Sequence, residues 1–240
     1  MIKNLLETIA EWLFPSYARC LGCGDERGCS QPFLCDECAG MLRKANVTAG
    51  RNEWRKRGIE SVAFVYYYGR PVSGIIRALK FRGARILAKP TATSVATDIA
   101  DLLRERFHHG YDCIIPVPLH PARLSERGYN QSELLAREVS KLCRIEMRTD
   151  IITRTRHTKQ QSKLSGKERG KNLLNAFSVK GDLSGKSILL LDDVITTGNT
   201  VCSCAEALKA AGAKEVRAIA LAGTHYCHSG IKHTYHKKKA

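Results

Sequence analysis

The stretch Ser187-Ile-Leu-Leu-Leu-Asp-Asp-Val-Ile-Thr-Thr-Gly-Asn-Thr200 constrains this chain more than any other. Its four consecutive apolar residues suit a strand buried on both faces, which a sheet with helices on either side provides. The two carboxylates that follow lie at the strand's carboxyl end, the edge where open α/β sheets bind ligands. Thr196, Thr197, Gly198, Asn199 and Thr200 then form a turn into a helix over Val201 to Ala211. Such a turn aims backbone N–H groups and the helix dipole at an anion, and threonine hydroxyls add donors. Gly198 and Asn199 are residue types that tolerate left-handed backbone. Two acids beside an anion cradle would repel the ligand unless it also brings hydroxyls or a cation. A sugar phosphate satisfies both: Asp192 and Asp193 accept from vicinal ribose hydroxyls, directly or around Mg²⁺, while the turn holds a 5′-phosphate. The simpler alternative, a βα turn capped by an acid, leaves the second acid and the threonines unexplained.

The rest of the chain alternates strand and helix. Ser61 to Tyr68 reads as a strand ended by Gly69-Arg70-Pro71, and further strands fall at 112–117, 149–155, 187–192 and 215–222, with a short one near 177–179. Helical patterns occupy 72–80, 86–107, 131–144 and 200–211. Alternation of this kind predicts an α/β fold, a mostly parallel sheet with helices on both faces. Arg43 to Arg57 reads as a charged bridge. No run approaches the roughly 20 apolar residues of a spanning helix.

Five of the ten cysteines lie within the first 38 residues. Met1 to Pro15 lacks a secretory signal, since Glu7 and Glu11 interrupt apolar residues at helical spacing. A cytoplasmic location follows as an expectation, and there clustered cysteines bind metal more often than they form disulfides. Cys20-x-x-Cys23 and Cys35-x-x-Cys38 stand eleven residues apart. Four thiolates close a tetrahedral structural Zn²⁺ site, a small zinc-binding knuckle ahead of the sheet. Cys29 either replaces one ligand or is a spare thiol. The cluster His225, Cys227, His228, His233 and His236 before three lysines reads as a basic tail.

The formal charge is +16, from 39 Lys and Arg against 23 Asp and Glu. This points to a polyanionic partner or a phosphorylated ligand. Between Arg154 and Lys171 lie seven Lys/Arg and one Glu, including Arg154, Arg156, Lys159 and Lys163. Such a basic stretch clamps diphosphate or tracks a nucleic-acid backbone. Aromatic residues for base stacking are few nearby, limited to Tyr129 and Phe81.

The apolar run, two acids and Thr-Thr-Gly-x-Thr resemble the 5-phosphoribosyl-1-pyrophosphate (PRPP) motif of type I phosphoribosyltransferases. The resemblance implies that Asp192 and Asp193 contact ribose and that residues 195–200, from Ile195 to Thr200, bind the 5′-phosphate. Asn199 departs from the small residue more usual after the glycine. The cysteine quartet, Pro116-Val-Pro-Leu-His-Pro-Ala-Arg123, Arg127-Gly-Tyr-Asn-Gln-Ser132, Arg156-His-Thr-Lys-Gln-Gln161, Arg169-Gly-Lys-Asn172 and the Asp-Asp turn, in that order, resemble the ComF family of competence-associated proteins. That resemblance, over about residues 18 to 224, implies a four-cysteine zinc finger joined to a phosphoribosyltransferase-like domain over 58–224 and a link to DNA uptake in natural transformation; with the helix read from Met1 to Pro15 the finger occupies 1–45, and the basic tail occupies 225–240.

In the resembled transferases the Pro116-Val117-Pro118 turn is the pyrophosphate loop. Prolines donate no N–H, so cations must assist. His120, Arg123 and Arg127 follow closely, and Lys80 and Arg82 are further diphosphate candidates. Two functions remain open. One is a Mg²⁺-dependent transfer of phosphoribosyl from PRPP to an unknown nitrogen base, as in nucleotide salvage, with Asp192 and Asp193 as the catalytic acids. The other is a protein that binds PRPP or a phosphoribosyl nucleotide and acts in transformation, with single-stranded DNA and a competence helicase or DNA-processing protein as partners. The charge excess favours the second.

Overall fold

A computed structural model describes residues 19–25, 33–42, 44–49, 52–80, 85–107, 110–155 and 176–224. Within these residues the chain forms β1 (Lys44–Ala49), β2 (Val62–Tyr67), β3 (Cys113–Pro116), β4 (Ile152–Arg154), β5 (Phe177–Val179), β6 (Ser187–Ile195) and β7 (Glu215–Gly223). The helices are α1 (Asp36–Gly40), α2 (Asn52–Lys56), α3 (Val72–Lys80), α4 (Arg85–Arg106), α5 (Pro121–Arg127), α6 (Gln131–Cys143) and α7 (Asn199–Ala210).

Five strands make one sheet in the order β1-β2-β7-β6-β3. The pairs β2/β7, β7/β6 and β6/β3 are parallel, and only β1 joins antiparallel, at one edge. Ile188, Leu189, Leu190 and Leu191 are fully buried, so the apolar run is the central strand that it predicts. Period-two alternation divides its side chains between two cores. Ile188 and Leu190 pack with Phe64, Val201, Cys204 and Leu208, the α7 face, and Leu189 and Leu191 pack with Ile76, Leu79, Ile99 and Leu135, the face of α3, α4 and α6. The expected α/β architecture is therefore present.

Three details differ from the sequence reading. The charged bridge is structured: β1 extends the sheet, and α2 buries Trp54 in the core on the α7 side. Residues 152–154 leave the parallel sheet and pair antiparallel with 177–179 in a separate two-stranded ribbon. Between the Pro118 turn and α6 stands the short helix α5, whose N-cap His120 accepts at Nδ1 from the Ala122 N–H at 3.2 Å. The expected helix at Met1 to Pro15, Cys29, Phe81, Arg82 and the tail from His225 lie outside the described residues.

Candidate functional site

The register of β6 sets the site. Pairing with β3 ends at Pro116 opposite Leu191, so Asp192 and Asp193 emerge just beyond it, at the carboxyl edge. Side-chain alternation sends Asp193 toward α3 and α6. Lys80 Nζ, at the end of α3, forms an ion pair with Asp193 Oδ2, and Gln131 Nε2 donates to Asp193 Oδ1 at 2.9 Å. Asp193 is only 3% exposed, and such burial of a carboxylate is tolerated because Gln131 donates to one oxygen and the Lys80 cation stands against the other. Asp192 Oδ1 accepts from Ser132 Oγ at 2.8 Å and from the Asp193 N–H at 2.9 Å. Burial first, and then the charge of Asp193, push the Asp192 carboxyl up to about 8, against the Ser132 and Asp193 donors.

Both supporting side chains come from the first turn of α6. Asn130 caps that helix, accepting from Ser132 N–H at 3.0 Å, while its Nδ2 donates to the Val117 carbonyl at 3.0 Å. Arg127 donates to Gln131 Oε1. Tyr129 donates to the Leu79 carbonyl at 2.9 Å, tying down the end of α3 beside Lys80. The Arg127–Ser132 motif thus supports the acid pair. The sequence showed it as a block, but only a fold that lays α6 against β6 reveals Gln131 and Ser132 as its working members.

After β6 the chain turns through Thr196–Gly198 into α7. Gly198 has φ +78°, the left-handed region. A β-carbon there would stand 3.0 Å from Trp54 Nε1. The turn encloses a cleft of about 40 Å³ lined by Asp192, Val194 to Thr200 and Val201. That is room for a few waters, the scale of one phosphate group. Thr224 Oγ1 donates to the Thr196 carbonyl at 3.3 Å, joining the turn to the end of β7.

The structure brings Asp192, Asp193, Lys80, Arg127 and residues 195–200 to one edge. Val117, expected among the diphosphate ligands, has its backbone groups engaged within the fold. Its N–H donates to the Leu191 carbonyl at 2.9 Å, its own carbonyl is taken by Asn130, and its side chain is buried, so it shapes the turn and has no donor to offer a ligand. Lys80 is engaged with Asp193. Arg123 lies exposed on α5, 3.7 Å from Glu126. Arg154 lies over the Phe177 ring at 5.6 Å. Arg156, Lys159 and Lys163 fall outside the described residues. A second cleft of about 240 Å³, lined in part by Pro118, Leu119, Leu124, Glu133 and Ile152, opens beside the carboxyl end of β3.

Cys20, Cys23, Cys35 and Cys38 converge, their sulfurs all within 4.8 Å of one another and those of Cys23 and Cys35 3.9 Å apart. A tetrahedral site with bonds near 2.3 Å places sulfurs about 3.8 Å apart, so the donor set and its spacing fit a metal ion. Burial opposes ionisation of Cys20, but the N–H groups of Cys35, Cys23 and Gly22 outweigh it and bring the thiol down to about 6. The loop rests on α3: a β-carbon on Gly74 would collide with the Leu21 carbonyl, and one on Gly22 would meet Pro71 Cβ at 2.5 Å.

A mostly parallel sheet with helices on both faces, carrying two acids and a hydroxylated turn at its carboxyl edge, defines a phosphoribosyltransferase-like protein, and residues 126–239 match the phosphoribosyl transferase domain. The chain is 31% identical to competence protein F of Haemophilus influenzae over 206 residues, 85% of this chain and 89% of that protein. It is 31% identical to the DNA utilization protein YhgH of Escherichia coli K12 over 80% of this chain and 84% of that one, and 30% identical to competence protein ComFC of Streptococcus pneumoniae over 70% and 71%. The chain belongs to this family of competence protein F, ComFC and YhgH. A purine phosphoribosyltransferase of Pyrococcus horikoshii Ot3 is a weak structural match, with 22% identity over 54% of this chain and 70% of that one and a TM-score of 0.35. Among the described residues no helix is long and apolar enough to cross a membrane.

Proposed function

We propose that this protein binds PRPP, or a nucleotide carrying the same phosphoribosyl group, and works in the cytoplasm on incoming DNA, contacting single-stranded DNA. The observation that carries the ligand reading is the joining of two recognitions on one strand end. Asp192 and Asp193, steadied by Lys80, Gln131 and Ser132, offer acceptors for ribose hydroxyls, and the 196–200 turn offers donors sized for one phosphate. The acids suit a divalent cation in donor type, and Mg²⁺ would supply charge neutralisation of the diphosphate. In a transfer reaction Asp192 and Asp193 would orient the ribose, and Arg127 and Arg123 would meet the diphosphate on departure.

The names of the relatives, which speak of competence and DNA utilization, support the DNA role, as does a charge of +16, far above what one small anion needs. Isothermal titration with PRPP and Mg²⁺ tests the ligand: heat is expected for the native chain, and its loss in Asp192→Ala/Asp193→Ala. Equal binding by that variant would remove the assignment. Fluorescent single-stranded DNA is expected to bind with an affinity that falls steeply as salt rises, and a flat response would count against contact with its phosphates. About one zinc per chain is expected in the purified protein, held by Cys20, Cys23, Cys35 and Cys38. The 240 Å³ cleft near β3 favours a second reading, transfer to a free base seated there. A diphosphate-release assay over a panel of bases decides it, since release with any one of them makes the protein a transferase.

A further inference from the structure

Asn199 stands where the resembled motif more often has a small residue, and the structure gives it a specific partner. Arg57, one residue beyond α2, donates from Nη1 to Asn199 Oδ1 at 3.3 Å. The same guanidinium is fixed to α7: Nε and Nη2 meet the Glu206 carboxylate at 2.5 and 3.2 Å, and Nη2 reaches Ser203 Oγ at 3.3 Å. Hydrogen bonding to Glu206 raises the affinity of Arg57 for its proton still further, so the group facing Asn199 is permanently a cation and a donor.

A guanidinium has no acceptor. The end of the Asn199 amide that faces it is therefore the carbonyl oxygen, because the reversed amide would set two donors against each other. Asn199 is exposed and lines the phosphate cleft together with Thr196, Thr197 and Thr200. With Oδ1 held by Arg57, the NH₂ group is the part of the side chain left to the cleft. We propose that Asn199 Nδ2 is a phosphoryl ligand and that Arg57 is the positioning residue that orients it. The cleft then reads a phosphoryl oxygen through an amide donor as well as through backbone N–H groups and hydroxyls, and Trp54, backing Gly198, keeps the turn at the right height for it. This inference rests on the phosphoribosyl reading of the site.

The test titrates inorganic phosphate, and separately PRPP with Mg²⁺, into the native chain and into Asn199→Ala, Asn199→Asp, Arg57→Ala and the double variant Arg57→Ala/Asn199→Ala. Loss of the donor in Asn199→Ala is expected to weaken phosphate binding several-fold, about tenfold being the scale of one hydrogen bond to a charged group. Asn199→Asp keeps the volume and pairs with Arg57, so its unfolding temperature is expected to hold or rise while its phosphate affinity falls by more than in Asn199→Ala. The discriminating variant is Asn199→Ala, since a carboxylate at 199 repels phosphate in any case: a purely structural contact would leave its phosphate affinity unchanged. Arg57→Ala is expected to weaken binding on the native background and to add nothing on the Asn199→Ala background. Native-like affinity in Asn199→Ala overturns the proposal, and so does full additivity of the two substitutions. If the native chain binds neither probe, the phosphoribosyl reading itself fails, whereas native binding with an indifferent Asn199 removes only this inference.

Discussion

Asp192 occupies a place where a carboxyl group resists ionisation, through burial and then the neighbouring charge of Asp193, so its proton is lost only near pH 8 in place of its ordinary value of 3.8. The folded state binds that proton more tightly than the unfolded chain does. Between the two values the native protein therefore carries more protons, and stability falls as pH rises. The contribution is complete below about pH 4 and lost above about pH 8. Asp192→Asn is expected to flatten that decline, giving an unfolding temperature close to the native one at pH 5 and above it at pH 9. Parallel pH profiles for the two proteins would show that the carboxylate is already compensated. Ligand binding should run the other way. The ionised carboxylate is the stronger acceptor for a ribose hydroxyl, so PRPP affinity measured by titration is expected to rise from pH 6 to pH 8 in the native chain and to stay level in Asp192→Asn. At this scale the sequence was most legible, because acids and threonines carry their chemistry in their own side chains. Gln131 and Ser132 were not legible as site residues, since nothing local says which strand end a helix N-terminus will meet.

Among the elements, β6 and α7 were plain from an apolar run and a hydroxylated turn, whereas β1, α2 and α5 were not. α2 is five residues long and α5 seven, with no buried side chain in α5, so neither shows an apolar period. The β4–β5 ribbon has strand-forming residues but no local mark of antiparallel pairing away from the main sheet. The cost of missing α2 is largest, because Trp54 and Arg57 support the turn from outside. Gly198→Ala is expected to lower stability by about 1–3 kcal/mol, from a left-handed φ and a ring 3.0 Å from the new carbon, read as a drop in the denaturant midpoint. Trp54→Ala is expected to cost about 3–5 kcal/mol as a core cavity. If Gly198→Ala regained stability in the Trp54→Ala background, the two would be shown to meet. Simple additivity would show that they do not.

For the whole molecule, the cysteine loop and the sheet are one packing unit. Cys20, Leu34 and Cys38 share a cluster with Val72, Ile75, Ile76 and Leu79 of α3, the helix whose end holds Lys80 against Asp193. Stripping metal with a chelator is thus expected to lower the unfolding temperature of the whole protein in one transition. A separate low-temperature transition that leaves the main one in place would contradict this. The sequence announced the four clustered cysteines by spacing. It could not show the loop seated on Gly74, where the absent side chain makes room for the Leu21 carbonyl.

That seat has a practical consequence for anyone dissecting the protein. A fragment that begins at residue 58 retains every strand of the sheet except β1, together with Asp192, Asp193 and the 196–200 turn. It would nevertheless leave Val72, Ile75 and Ile76 uncovered and would discard Trp54 and Arg57. Gel filtration of such a fragment is expected to show aggregates, and the smallest piece worth expressing starts ahead of Cys20.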